Sequence, residues 1–400
     1  MKALYLDGSV LGIALYQVAA KVLRRPATSA FSPVKVADIP EPSIPNERWL
    51  KVRNIACGLC GSDLHFMDFQ MDTGCFPAAT PGIERKYLGH EVFGEVIEVG
   101  REVHSVEVGD RVALRVDWPS CAQMELDPPC RPCSEGQYSC CENLGRRTLP
   151  MRDVGAGFSP VMVVHDSQPF KLLDGMTNDQ AILLEPTASA THGVYARKPG
   201  PGDRVLVVGC GTMGLLTIAV VKAIEPKAEV VAIGAYDHQM TMARVLGADR
   251  VLGRGRGLYR KVSELTGAAY HRGPFGNEIL LGGFDVVYDT VGSDHTISDA
   301  LRFTRSRGTV VLVGLNFKPN KIDYTTIWHQ EITLKGINSH GNDTAKENSF
   351  EIASRLMVEG KLDPSPLITH RLPVEQWREA VRLFEEKSRS KALKIVLEHH

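Results

Sequence analysis

The chain has 400 residues, 43% hydrophobic and 23% charged, enough for two domains with a core each. Its 46 basic and 47 acidic side chains nearly cancel, which leaves no electrostatic footprint for nucleic acid or a membrane surface. No apolar run is long enough to span a bilayer, so the expected partner is a small molecule.

Short β-rich runs separated by Pro and Gly fill the first 115 residues, an antiparallel, barrel-like pattern. Residues 50–55, 92–99 and 111–114 are its clearest strands. The apolar stretch 10–23 has only Lys2 before it and no small-residue cleavage site ahead of the basic cluster at 21–25. It therefore reads as a helix inserted after the first strand, not as a secretory signal. Nine cysteines, eight of them between Cys57 and Cys141, favour metal binding in a reducing cytoplasm over a disulfide scaffold.

The first strand-rich run leads into Cys57-Gly-Leu-Cys60-Gly-Ser62-Asp63-Leu-His65, and Gly89-His90-Glu91 follows. A thiolate, an imidazole and carboxylates together suit zinc. Cys60 is the first candidate ligand and His90 the second. A third should come from elsewhere and leave one position open. Glu185, in Leu-Leu-Glu185-Pro186, is the candidate, read as a carboxylate at a buried strand end; the plainer alternative is a helix start. Glu91 is either a fourth, exchangeable ligand or a group behind the ligands. Asp63 suits the role of acceptor for the other ring N–H of His90, and Ser62 with His65 makes a proton relay. Cys57 with Cys60 could instead be a redox pair. Phe66, Phe69 and Trp118 could line an apolar pocket, although aromatics in such loops more often pack.

Residues 116–145 are rich in Cys and Pro with little periodicity, as in a lobe held by metal rather than by a core. Cys121, Cys130, Cys133 and Cys141 make a closed four-thiolate set of the structural kind, with Cys140 as an alternative to Cys141. Paired disulfides or free thiols are the competing reading.

From Asp203 strands alternate with helices, which implies a parallel sheet with right-handed crossovers. Strands are expected at 204–208, 230–233, 284–288 and 308–314, and helices at 214–224 and 239–246. Gly209-Cys210-Gly211-Thr212-Met213-Gly214 follows a strand and opens a helix, the context a dinucleotide pyrophosphate needs. An acid that binds the ribose is expected at the end of the second strand, but Gly234-Ala235-Tyr236 stands there. That favours NADP or a relaxed choice. No Arg follows directly, so NAD stays open. Residues 253–283 read in part as an inserted loop. After 336 come a helix (349–359), a second helix (374–387) and a strand (392–397) that rejoin the first domain. The terminal Leu397-Glu-His-His400 resembles the start of an expression tag.

Together these segments resemble the zinc-dependent medium-chain dehydrogenase/reductase family, the alcohol dehydrogenase superfamily. Leu246-Gly-Ala-Asp249 and Phe284-Asp-Val-Val-Tyr-Asp-Thr-Val-Gly292 add to the match, which covers nearly the whole chain. The resemblance implies an α/β protein with a GroES-like domain (1–186 and 337–400) and a Rossmann domain (187–336). It further implies a catalytic zinc between them on Cys60, His90 and Glu185, a structural zinc in the lobe, a relay through Ser62 and His65, and a homodimer or homotetramer. Glu185 where other alcohol dehydrogenases have Cys is similar to the polyol, threonine and glucose dehydrogenase branch. The chain departs from the family near 9–32, at 66–89, in the eight residues between Cys121 and Cys130, and at 253–283. The expected activity is hydride transfer between NAD(P) and a secondary alcohol or polyol, or the corresponding carbonyl. Conjugate reduction, aldehyde dismutation and a non-catalytic zinc- or cofactor-binding homologue are the alternatives.

Overall fold

The computed structural model describes residues 1–20, 22, 28–29, 32–69, 72, 74–79, 85–115, 119–151 and 153–399; Trp118 lies outside them. The chain divides into two compact units, residues 1–185 with 365–400, and residues 186–364.

The first unit opens with β1 (Lys2–Asp7), α1 (Val10–Ala20), β2 (Val34–Asp38), β3 (Trp49–Leu59), α2 (Gly61–Met67), β4 (Arg85–Tyr87), β5 (Glu91–Val99) and β6 (Arg111–Leu114). The single-turn α3 (Arg131–Ser134), β7 (Val161–His165), β8 (Pro169–Lys171) and α4 (Asn178–Ile182) follow. Strand β1 pairs with β2 and β4, while β3 lies antiparallel between β5 and β7. Alternation sets the β3 register: Leu50, Val52, Asn54 and Ala56 are buried. Outward-facing Lys51 and Arg53 meet Glu98 and Glu95 of β5 at 3.0 and 2.9 Å.

Helix α5 (Leu184–Ala196) begins where the units divide. Glu185 thus opens a helix and does not end a strand. Pro186 is tolerated there because first-turn amides lack intrahelical partners. In the second unit β9 (Arg204–Val208), α6 (Thr212–Ile224), β10 (Glu229–Gly234), α7 (Asp237–Val245) and β11 (Arg250–Gly253) alternate. Then come α8 (Leu258–Thr266), β12 (Ala269–Arg272), β13 (Glu278–Leu281), β14 (Phe284–Asp289), α9 (Asp294–Phe303), β15 (Thr304–Leu312), α10 (Thr325–Gln330), β16 (Thr333–Gly336) and α11 (Ser349–Val358). Six parallel strands order as β11-β10-β9-β14-β15-β16. The branched apolar runs of the central strands β9, β10 and β14 are buried on both faces, as the middle of a parallel sheet requires.

Residues 253–283, expected in part as loop, also fold as α8 and the β12–β13 hairpin, with Leu258, Val262, Ala268 and Leu280 in the core of the unit. The second division between units falls at 364/365, not 336/337. Although the parallel sheet ends at Gly336, the chain stays with it. Asp343 bonds His192 of α5 at 2.6 Å, and α11 buries Phe350, Ile352, Ala353, Leu356 and Met357.

The chain then returns through β17 (Ile368–Pro373), α12 (Trp377–Glu385), α13 (Lys387–Ser390) and β18 (Lys394–Glu398), which extends the first unit's sheet beside β3. Leu397 and Glu398 are strand residues, and His399 donates its amide to Ile55 O at 3.0 Å.

Candidate metal centres and cofactor loop

Strand β3 ends at Leu59 and delivers Cys60, which caps α2 in extended conformation. His90 sits immediately before β5, whose partner is β3, so the paired strands bring both donors to one sheet end. Asp63, 2% exposed, joins them: it accepts from the amides of Cys60 (3.0 Å) and Gly89 (3.2 Å) and faces His90 Nδ1 at 3.5 Å. Burial disfavours its ionisation, but His90 and the two amides outweigh that and hold its carboxyl below the usual range. Ser62 Oγ lies 3.4 Å from His90 Nε2. His65 follows Ser62 by three residues, on the same face of α2.

Donor atoms of Cys60, His90 and Glu91 lie within 4.8 Å of one another. Sequence reasoning missed Lys394. It lies on β18 beside Leu59, 2% exposed, and its Nζ bonds both oxygens of Glu91, itself 1% exposed, at 2.6 and 2.5 Å. Burial works against this ammonium, yet Glu91, Cys60 and Glu185 keep its pKa above the ordinary lysine value. Glu185, 7% exposed, therefore belongs to the same buried neighbourhood, though not to the close donor group. The available signal was a lysine inside the apolar run Ala392-Leu-Lys-Ile-Val-Leu397.

The lobe gathers Cys121, Cys130, Cys133 and Cys141 within 4.8 Å, while Cys140 is exposed and outside the set. Cys121 Sγ is 3.7 Å, and Cys130 Sγ 4.0 Å, from Cys141 Sγ. The amide of Glu142 and the side-chain amide of Asn143 point at the Cys130 and Cys121 sulfurs at 3.4 and 3.3 Å. Eight residues between Cys121 and Cys130 are accommodated: the chain returns so that the Cys130 amide meets Cys121 Sγ at 3.4 Å.

In the second unit, Gly209 follows β9 with a left-handed φ of +98°, which only glycine adopts readily. Gly211 caps α6, and Gly214 lies so close to the turn that a Cβ there would strike the Gly209 carbonyl oxygen and come 2.9 Å from Thr290 Oγ1. Nothing stands within 4 Å of where a Gly211 side chain would be. The loop thus presents open backbone at the start of a 13-residue helix, where free amides and the dipole attract phosphate. Thr212 and Met213 belong to its first turn. Gly234 closes β10, and Ala235 and Tyr236 follow it, both exposed.

The family model of the alcohol dehydrogenase GroES-like domain matches residues 46–174, and that of the zinc-binding dehydrogenases matches 212–358. An L-idonate 5-dehydrogenase of Vitis vinifera is 31% identical over 352 residues, 87% of each chain. The chain belongs to the zinc-binding dehydrogenase family. A sorbitol dehydrogenase of Arabidopsis thaliana is 30% identical over 349 residues, again 87% of each chain. The solved 2R,3R-butanediol dehydrogenase from Bacillus subtilis superposes with a TM-score of 0.70 at 27% identity, over 91% of this chain and 96% of that one. This zinc-binding dehydrogenase is an alcohol dehydrogenase-like oxidoreductase, with a GroES-like first unit and a Rossmann-type second unit.

The donors of the dehydrogenase fit the metal its family is named for. Four sulfurs about 2.3 Å from a tetrahedral zinc stand about 3.8 Å apart, close to the lobe's 3.7 and 4.0 Å. Cys60 and His90 supply a mixed thiolate–imidazole pair, with His90 oriented by Asp63 as bound imidazoles usually are. Among the described residues no helix is long and apolar enough to cross a membrane.

Proposed function

We propose that this protein oxidises a secondary alcohol or polyol, or reduces the corresponding carbonyl, with NAD or NADP. The observation that carries the reading is Asp63, which ties Cys60 and His90 into one donor set in a chain whose other unit carries an open phosphate loop. Cys60, His90 and Glu185 would hold the catalytic zinc, and Cys121, Cys130, Cys133 and Cys141 a structural one. When bound, zinc supplies a Lewis acid for the substrate oxygen, and the nicotinamide supplies a hydride acceptor or donor.

The remaining work falls to the chain's own side chains. Asp63 keeps the His90 ring in register and its tautomer defined. Lys394 occupies both oxygens of Glu91, so Glu91 acts as a fixed counter-charge behind the donors and not as a ligand. Ser62 Oγ, beside His90, accepts the substrate hydroxyl proton as it gives its own toward His65, which passes a proton to solvent. The loop Gly209–Gly214 with Thr212 and Met213 receives the pyrophosphate, and Gly234, Ala235 and Tyr236 face the adenosine ribose. Polyol dehydrogenases among the relatives support a polyhydroxylated substrate. A cytoplasmic homodimer or homotetramer completes the reading.

The test is zinc-loaded protein assayed with NAD and NADP over a panel of polyols, secondary alcohols and ketones, followed by nicotinamide absorbance. Turnover with at least one vicinal diol or polyol is expected. Two zinc ions per chain with no nicotinamide turnover on any substrate would overturn the reading.

A further inference from the structure

The edge of the parallel sheet next to the phosphate loop lacks the acid that selects NAD. In dinucleotide folds a carboxylate at the end of the second strand bonds the ribose hydroxyls and repels a 2′-phosphate. Here that strand is β10, and it ends in Gly234. The position is filled by its neighbours: a Cβ on Gly234 would lie 2.5 Å from Met240 Cγ and 3.1 Å from Cys210 Sγ. An acid cannot be placed there without displacing them.

What stands beside the gap is cationic. Strand β11 runs parallel to β10 with Gly253 opposite Gly234, and the next amide, that of Arg254, donates to Gly234 O at 3.1 Å. The loop Gly253-Arg254-Gly255-Arg256-Gly257 is thereby anchored to the strand end. Gly255 and Gly257 have φ of +141° and +76°, so the turn follows a path that other residues would resist. Arg254 and Arg256 are both exposed; Arg254 lies within electrostatic reach of the Asp299 carboxylate, with no salt bridge closing either guanidinium off among the described residues. On the other side, the Tyr236 and His238 rings stack at 5.8 Å and 26°, and Tyr236 is 39% exposed. The nearest acid in sequence, Asp237, comes three residues after the strand end, in the first turn of α7, where its charge complements the helix dipole.

We infer that the loop after β11 is a 2′-phosphate site, with Arg254 and Arg256 clamping the phosphate beside Gly234, and that the enzyme therefore prefers NADP to NAD. The inference rests on the dinucleotide reading above and deepens it. Guanidinium–phosphate pairs are bidentate and charge-assisted, and a single such bond is worth roughly a tenfold change in affinity.

The experiment measures binding, independently of turnover and of zinc. The full-length protein is titrated with 2′,5′-ADP and with 5′-AMP by calorimetry, and with NADPH and NADH by nicotinamide fluorescence. The expected result is that 2′,5′-ADP binds roughly tenfold or more tightly than 5′-AMP, with NADPH over NADH in the same order. In the double variant Arg254→Gln/Arg256→Gln, its melting temperature checked against the parent, 2′,5′-ADP affinity should fall to about the 5′-AMP level. Equal binding of the two nucleotides, tighter binding of 5′-AMP, or a preference that survives the double variant would overturn the 2′-phosphate site while leaving the dehydrogenase reading intact. Failure of all four to bind would overturn the dinucleotide reading itself.

Discussion

Replacing Lys394 with Met should destabilise the first unit strongly, and restoring charge balance should undo much of the damage. The Lys394 ammonium and the Glu91 carboxylate are 2% and 1% exposed and 2.5 Å apart at their closest. At an effective dielectric near 20 their attraction is about 7 kcal/mol, while each ion forfeits several kcal/mol of hydration. These nearly cancel, so the intact pair adds little net stability. Removing one member does not cancel: Lys394→Met strands a carboxylate, at a cost of about 3–5 kcal/mol. At about 2–4 °C per kcal/mol for a unit of this size, the melting temperature should fall by roughly 10 °C. The double variant Lys394→Met/Glu91→Leu removes both charges and should recover more than half the loss. Urea denaturation followed by far-UV circular dichroism, with zinc in excess, measures all three proteins. A single variant within about 1 kcal/mol of the parent, or a double variant no more stable than the single, would refute the argument that an unpaired charge dominates.

Three further outcomes follow from the site geometry. Cys130→Ser breaks the four-sulfur set, and zinc content by atomic absorption should fall from about two ions per chain to about one. Asp63→Asn keeps the shape but weakens the hold on His90 and on the Cys60 and Gly89 amides, so competition with a chelator should show metal affinity at the catalytic site down by roughly 10–100-fold. Gly214→Ala drives a methyl into the Gly209 carbonyl; NADH and NADPH fluorescence titrations should both weaken by about tenfold or more, with zinc content unchanged.

Much of the site was legible because its chemistry is local in sequence. Cys60, Ser62, Asp63 and His65 share a segment of six residues, the lobe cysteines are closely spaced, and the glycine loop is six consecutive residues between a strand and a helix. Strand β9 is delimited by its own run of branched apolar residues, and its expected bounds agree with those observed. Helix α9 was less visible, because its apolar positions are interleaved with polar ones and its start rests on the Ser293 cap, which accepts from the Thr296 amide. Residues 253–283 looked in part like loop because glycine and arginine mask short elements that fold only when Leu258, Val262 and Leu280 find the common core.

The sequence by itself determined the donor types, the phosphate loop and the alternation that makes one unit a parallel sheet, since each depends on neighbours a few residues away. Only the tertiary structure shows which group pairs with Glu91. Its partner Lys394 is 303 residues distant and reaches it because the last strand returns beside β3. The same holds at Gly234, where β11 brings Arg254 alongside. Charges that must be neutralised in a dry interior take whichever partner the fold supplies, and pairing across a sheet leaves no mark at any fixed spacing along the chain.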